Sequence, residues 1–292
     1  MRVLVLGCGY VGRELGRRLV DAGHDVVGVV RSESSAEAVA AAGIDPIQGE
    51  LTDPDVVSSL PDADVLVFSA SAGRGSVAEA RALYADGLRA VVSTFESRGS
   101  PPDRLLFTST TGVYGDHGGG WVDESTPVDP ERPKAAVIAE AEAIVHRSDL
   151  DSTVARFAGL YGPGRYRIES TLDSATAGWR NSVHRDDAAG ALAWFLTEDV
   201  ARGETVLVTD GTPVDRWEFA DWLAERCGAP EPEKLTIEER LAALPASAAP
   251  RVASQKRCRN DRLLELGYEL QYPSVYEGYE PAIDAVRRGE RP

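Results

Sequence analysis

Gly7, Gly9 and Gly12 stand in a Gly-x-Gly-x-x-Gly spacing directly behind the apolar run of residues 3–6. What glycines at this spacing offer is bare backbone: one permits a tight turn, one lets a pyrophosphate come close, and one lets a following helix pack on the strand. From Tyr10 onward Val11, Leu15 and Leu19 recur at helical spacing as far as Gly23, and a second apolar run follows at 26–30. The unpaired N–H groups and the positive dipole end of that helix would face the phosphates. This strand, turn, helix and strand order predicts dinucleotide binding, with Gly7, Gly9, Tyr10, Val11 and Gly12 as contacts.

The residues after the second strand refine the ligand. Arg31 and Ser32 occupy the place where many NAD-binding units carry an acidic residue for the ribose hydroxyls. An arginine there can pair with a 2′-phosphate, so NADP is favoured, with NAD as the alternative and a solvated strand-end arginine as the plain reading. Asp53 has two open readings, a contact to the adenine edge or the cap of a helix starting after Pro54. Ala70 opens a loop of small residues, 70–75, placed to lie against the nicotinamide-side ribose. Further on, Thr108, Ser109, Thr110 and Thr111 cluster at the carboxyl end of a strand, where open α/β sheets bind ligands. Their hydroxyls could bond a substrate carbonyl or hydroxyl, or could serve a turn rich in local side-chain bonds.

These residues need a scaffold, and the sequence supplies one. Helix-period and strand-like stretches alternate: helix 34–42, strand 44–48, strand 64–69, one long helix 77–98, strand 105–108, helix 133–147 and strand 154–157. A helix runs through residue 196 behind residues 181–187, a late strand at 205–209 returns to the sheet, and helices follow at 217–227 and around 263–266. The expected fold is α/β, a Rossmann-type doubly wound parallel sheet with a small C-terminal substrate lobe. Its domains are 1–165 for NAD(P) binding and 166–292 for substrate binding, partly interleaved. Residues 230–251 read as the least regular surface, and the tail ends in an aromatic cluster.

Composition narrows the partners. With 31 Lys and Arg against 47 Asp and Glu, the net charge of −16 makes nucleic acid and anionic membranes poor partners. A small-molecule substrate is expected, and a homodimer is left open. Only three of the basic residues are lysines, a bias that fits either a salt-rich cytoplasm or a GC-rich genome. Cys8, Cys227 and Cys258 are few and far apart, which suits a reducing cytoplasm; no metal site is expected. Gly7 and Gly9 interrupt the first apolar run, so no signal peptide is expected, and no run reaches membrane-spanning length.

The chain resembles the extended short-chain dehydrogenase/reductase superfamily, the NAD-dependent epimerase/dehydratase group. The resemblance rests on GCGYVG at 7–12, ELTD at 50–53, TSTTGVYGD at 108–116, DESTPVDP at 123–130, ARFAGLYGPGR at 155–165 and HRDDAAGAL at 184–192, all in the family's order. The ending KRCRNDRLLELGYELQYPSVYEGY, residues 256–279, resembles that of an atypical bacterial and archaeal branch. The resemblance implies hydride transfer at a hydroxyl or carbonyl carbon, with a nucleotide sugar as one substrate class. It also implies a Tyr-x-x-x-Lys pair on the helix after the proline-rich loop. Here the alignment places Lys134 at the tyrosine and Ile138 at the lysine, and no Tyr-x-x-x-Lys occurs anywhere in the chain. The family's catalytic serine or threonine corresponds to Thr110. Stand-ins for the missing donor are Tyr114 and Tyr161, then His184 and Lys134; His184 matches a position better explained as structural, bonded near Asp186 or Asp187. Arg165 could contact a substrate phosphate. The rival reading is a catalytically inactive dinucleotide-binding sensor or structural protein with a degenerate site.

Overall fold

A run of apolar residues on every position, rather than every second one, marks a strand covered on both faces. Val3, Leu4, Val5 and Leu6 are all fully buried, and so are Leu66, Val67 and Phe68. They belong to β1 (Arg2–Leu6) and β4 (Val65–Phe68), the middle of a seven-stranded sheet. The computed structural model describes residues 1–73, 75–244 and 252–290. In its first half β1, β2 (Asp25–Val30), β3 (Asp45–Gln48), β4 and β5 (Arg104–Thr110) alternate with α1 (Tyr10–Asp21), α2 (Glu33–Ala40), α3 (Pro54–Ser59), α4 (Val77–Arg81) and α5 (Leu88–Glu96). After the two-residue β6 (Trp121–Val122) come α6 (Pro133–His146) and β7 (Asp151–Phe157). The short β8 (Gly159–Tyr161), α7 (Ile168–Asp173), β9 (Ser174–Thr176), β10 (Trp179–Arg180) and β11 (Ser182–His184) lead to α8 (Arg185–Thr197) and β12 (Thr205–Val208).

The sheet order is β12-β7-β5-β4-β1-β2-β3, with the β1–β2, β2–β3, β1–β4 and β4–β5 pairs parallel. This is the parallel α/β sheet that the alternating pattern called for, and the 205–208 strand does return to it. By chain contacts the molecule divides into two compact units. One comprises Met1–Val113, Pro133–Arg156 and Ala188–Val206, and the other Tyr114–Arg132, Phe157–Asp187 and Leu207–Pro292. Among the described residues no helix is long and apolar enough to cross a membrane.

The structure refines three expectations. The single long helix expected over 77–98 is present as one unbroken helical run over 77–96, made of α4, a π-turn at Ala82–Gly87 and α5; the apolar period carries through the turn, so the pattern alone hides it. The stretch 230–251 holds β14 (Glu233–Leu235), paired with β9, and α10 (Ile237–Ala242), opened by a capping box between Thr236 and Glu239; β13 (Val214–Asp215) and α9 (Arg216–Cys227) precede it. Its end, residues 245–251, lies outside the described residues. The tail's aromatic cluster is part of a helix, Val275–Arg287, capped by Ser274. Pro281 inside it reads as a breaker in sequence, yet Val275, Tyr279, Ala282 and Ile283 are buried at helical spacing.

Candidate functional site

The glycine turn is built by two kinds of demand. Gly7 has φ +88°, and a Cβ there would stand 2.2 Å from the Cα of Ala70. At Gly12 a Cβ would stand 2.8 Å from Ser69 Oγ and 2.9 Å from Val5 Cγ1. The protein itself therefore requires both. Gly9 differs, because a Cβ there would meet only the Gly7 carbonyl oxygen at 3.9 Å. That open space over the start of α1 is what an approaching pyrophosphate needs. The same helix start has no side-chain cap on Gly9 and no acidic residue in its first turn, so the N–H groups of Val11 and Gly12 and the positive dipole end face the side an anion would approach. Cys8, between the glycines, is buried, and burial pushes its thiol up to about 12, which fits packing rather than redox chemistry.

Around this turn, in the same unit, stand the other cofactor-side residues. Arg31 is exposed at the end of β2; its carbonyl accepts from Gln48 Nε2 at 3.3 Å, and its guanidinium makes no ion pair among the described residues. Ser32 is the N-cap of α2, its hydroxyl accepting from the Ser35 N–H at 3.3 Å. Asp53 is the N-cap of α3, where its Oδ1 accepts from the Asp55 N–H at 2.9 Å. Ala70 sits against Gly7, in a loop tied to the turn by Ser69 Oγ, which donates to the Gly7 carbonyl at 3.0 Å. Glu79, whose carboxyl is held low chiefly by the Ser76 amide and hydroxyl, also feels the charges of Lys134 and Arg31.

The second group of residues lies on β5 and α6. Lys134, Ile138 and Glu142 recur every four residues and so share one face of α6. Glu142 anchors that face. Its buried carboxylate accepts the Ser109 hydroxyl at 2.5 Å and, bidentately, Arg156 Nε at 2.9 Å and Nη2 at 2.7 Å. Ser109 is the β5 residue next to Thr110, so the anchor fixes the helix against the strand end that carries the hydroxyls. Thr110 Oγ1 accepts from the Gly112 N–H at 3.1 Å, which leaves its own O–H to donate. Ile138 packs against the core, and Lys134 Nζ donates to the Gly73 carbonyl at 3.4 Å.

Tyr114, Tyr161 and His184, candidates for the missing donor, belong to the other unit and are core side chains there. Tyr114 is fully buried and donates to the Asp123 carbonyl at 2.7 Å. Tyr161 stacks on Tyr279 with ring centroids 5.2 Å apart, donates to the Ser274 carbonyl, and has its phenol pushed up by burial, away from acid–base use near neutral pH. His184 Nδ1 accepts from the Asp186 N–H at 3.2 Å, the structural bond its motif position suggested. Arg165 is exposed in that unit, its N–H donating to the Gly162 carbonyl at 2.8 Å.

Three contributors escaped the sequence reading. Glu142 had a signal, since it continues the four-residue spacing of Lys134 and Ile138. Tyr84, whose hydroxyl accepts from the Ala72 N–H at 3.3 Å, had none, because the π-turn that aims it is invisible in the apolar pattern. Lys256, in the other unit, is a buried lysine whose ammonium donates to the Gly115 carbonyl at 2.8 Å and Ser254 Oγ at 2.9 Å, tying the tail to the loop after Tyr114. Burial lowers its pKa.

Comparison with known proteins agrees with this geometry. Residues 7–199 match the family described as NAD(P)H-binding. Protein YeeZ of Escherichia coli is 29% identical over 93% of this chain and 96% of its own length. A Streptomyces 3-diazoavenalumate denitrifying reductase is 29% identical over 95% of this chain and 99% of its own. A solved structure from Methylobacillus flagellatus, described as an NAD-dependent epimerase/dehydratase, superposes with a TM-score of 0.77 at 32% identity, covering 98% of both chains. The chain belongs to the NAD(P)H-binding family, within the NAD-dependent epimerase/dehydratase group of the extended short-chain dehydrogenase/reductase superfamily.

Proposed function

We propose that this protein is an NADP(H)-dependent oxidoreductase that reduces a carbonyl carbon of a small molecule. The observation that carries the reading is the start of α1, where open space over Gly9 meets an uncapped helix end without a carboxylate. Arg31 supports the 2′-phosphorylated cofactor, because its guanidinium is exposed and makes no ion pair among the described residues. When bound, the dinucleotide supplies the hydride, and the protein supplies position and charge.

The chain's own residues then have separate tasks. Thr110 orients the substrate oxygen with the O–H that the Gly112 amide leaves free to donate. Lys134, standing at the family's tyrosine position on the face anchored by Glu142, is the proton donor. An ammonium has three donors and no acceptor, so it serves reduction, in which the substrate oxygen gains a proton. The relative from Streptomyces is a reductase, which favours this direction.

The test is calorimetric titration with NADPH and NADH, followed by NADPH oxidation assays over a panel of ketones and aldehydes with the unmodified chain and Lys134→Met. Lys134→Met is expected to keep NADPH affinity within a few fold and to slow turnover by roughly 10²- to 10⁴-fold, the usual weight of acid–base assistance. Tight NADPH binding with no turnover of any carbonyl would instead favour a non-catalytic dinucleotide sensor.

A further inference from the structure

Between α4 and α5 the helix opens into one π-turn, Ala82–Gly87. Such turns are rare and concentrate at functional sites. Two residues of this one reach the loops on either side of the glycine turn. Tyr84, nearly buried in the core, accepts from the N–H of Ala72 in the loop after β4. Gly87, three residues on, lies so close to the loop after β3 that a Cβ would stand 2.8 Å from the Leu51 carbonyl oxygen.

The strand order gives these two contacts a meaning. β4 and β5 lie on one side of β1, and β2 and β3 on the other. A dinucleotide with its pyrophosphate on the turn after β1 extends its adenosine half toward β2 and β3, where Arg31 stands, and its nicotinamide half toward β4 and β5. The π-turn therefore touches one loop of each half. The β4 loop is held at three further points: Ser69 on the Gly7 carbonyl, Ala70 packed on Gly7, and Lys134 on the Gly73 carbonyl.

We infer that the π-turn is a positioning element of the dinucleotide site, with Tyr84 setting the nicotinamide-side loop and Gly87 the adenosine-side loop. The inference rests on the dinucleotide reading above. It makes the two halves of the cofactor separately adjustable from one turn of helix that touches neither.

Two probes separate the halves: NADP⁺, which spans both, and adenosine 2′,5′-bisphosphate, which has only the adenosine half. Tyr84→Phe keeps the ring and removes the hydroxyl. It is expected to raise the Kd for NADP⁺ by about three- to tenfold, the weight of one hydrogen bond, and to leave the bisphosphate unchanged. Gly87→Ala is expected to weaken both probes by the same factor. Equal weakening of both probes by Tyr84→Phe, or no weakening of either, overturns the inference, and that arm decides alone if Gly87→Ala does not fold. An unmodified chain that binds neither probe would defeat the dinucleotide reading instead.

Discussion

The clearest separation of fold from function is available at Gly9. Gly9→Ala adds one methyl group at a position with φ −93° and with no atom but the Gly7 carbonyl oxygen within 4 Å. The unliganded protein should keep its stability within about 1 kcal/mol. Gly7→Ala is the control. It places a side chain at φ +88°, at a cost of about 1–3 kcal/mol, and overlaps the Ala70 backbone at 2.2 Å, which adds about 1–3 kcal/mol more. The ligand feels the reverse pattern, because the methyl at residue 9 stands where a pyrophosphate would approach the first amides of α1. Losing one charge-assisted bond of about 1.5–3 kcal/mol raises Kd by roughly 10- to 150-fold. Thermal unfolding without ligand and calorimetric titration with NADP⁺, run on both variants, measure the two effects. Wild-type affinity in Gly9→Ala, or a loss of thermal stability as large as in Gly7→Ala, would refute the reasoning.

Arg31→Ala should weaken NADP⁺ by roughly 10-fold or more while leaving NAD⁺ within twofold, and parallel titrations decide it. Glu142→Gln keeps an acceptor for Ser109 but leaves Arg156 as a buried charge without its carboxylate, so unfolding in urea should show a loss of about 3–5 kcal/mol; a change below 1 kcal/mol would mean that the pair is not buried as described. Asp210 is buried with one carboxylate oxygen unpartnered, and desolvation pushes its pKa up to about 8, against about 3.9 unfolded. Because the folded state holds the proton longer, the contribution to stability is complete below about pH 4 and is lost as pH rises toward 8; Asp210→Asn should flatten this fall, measured by denaturation at a series of pH values.

What the sequence made legible was local. The glycine spacing, the change from strand to helix period and the apolar runs of β1 and β4 each concern residues within a turn or two of one another, and all appear in the sheet as expected. What it hid depends on partners far along the chain. Tyr161 reads as a loop tyrosine at a strand end, yet Tyr279, more than a hundred residues later, stacks on it and takes it out of reach. Asp53 offered two readings, and of these the structure displays the capping bond to the Asp55 amide.

Lys134 shows the limit most sharply. Family motifs locate its position on α6, and four-residue spacing places it with Ile138 and Glu142, but neither says why the face is held where it is. That depends on a carboxylate reaching Ser109 on β5 and Arg156 on β7, a contact among three segments that no local pattern encodes. With Ile138 committed to the core, the family's tyrosine–lysine pair has no second member here. The ammonium of Lys134 offers donors and no acceptor, so the chemistry proposed for this chain is reduction, in which the substrate oxygen gains a proton and the lysine is left as the amine.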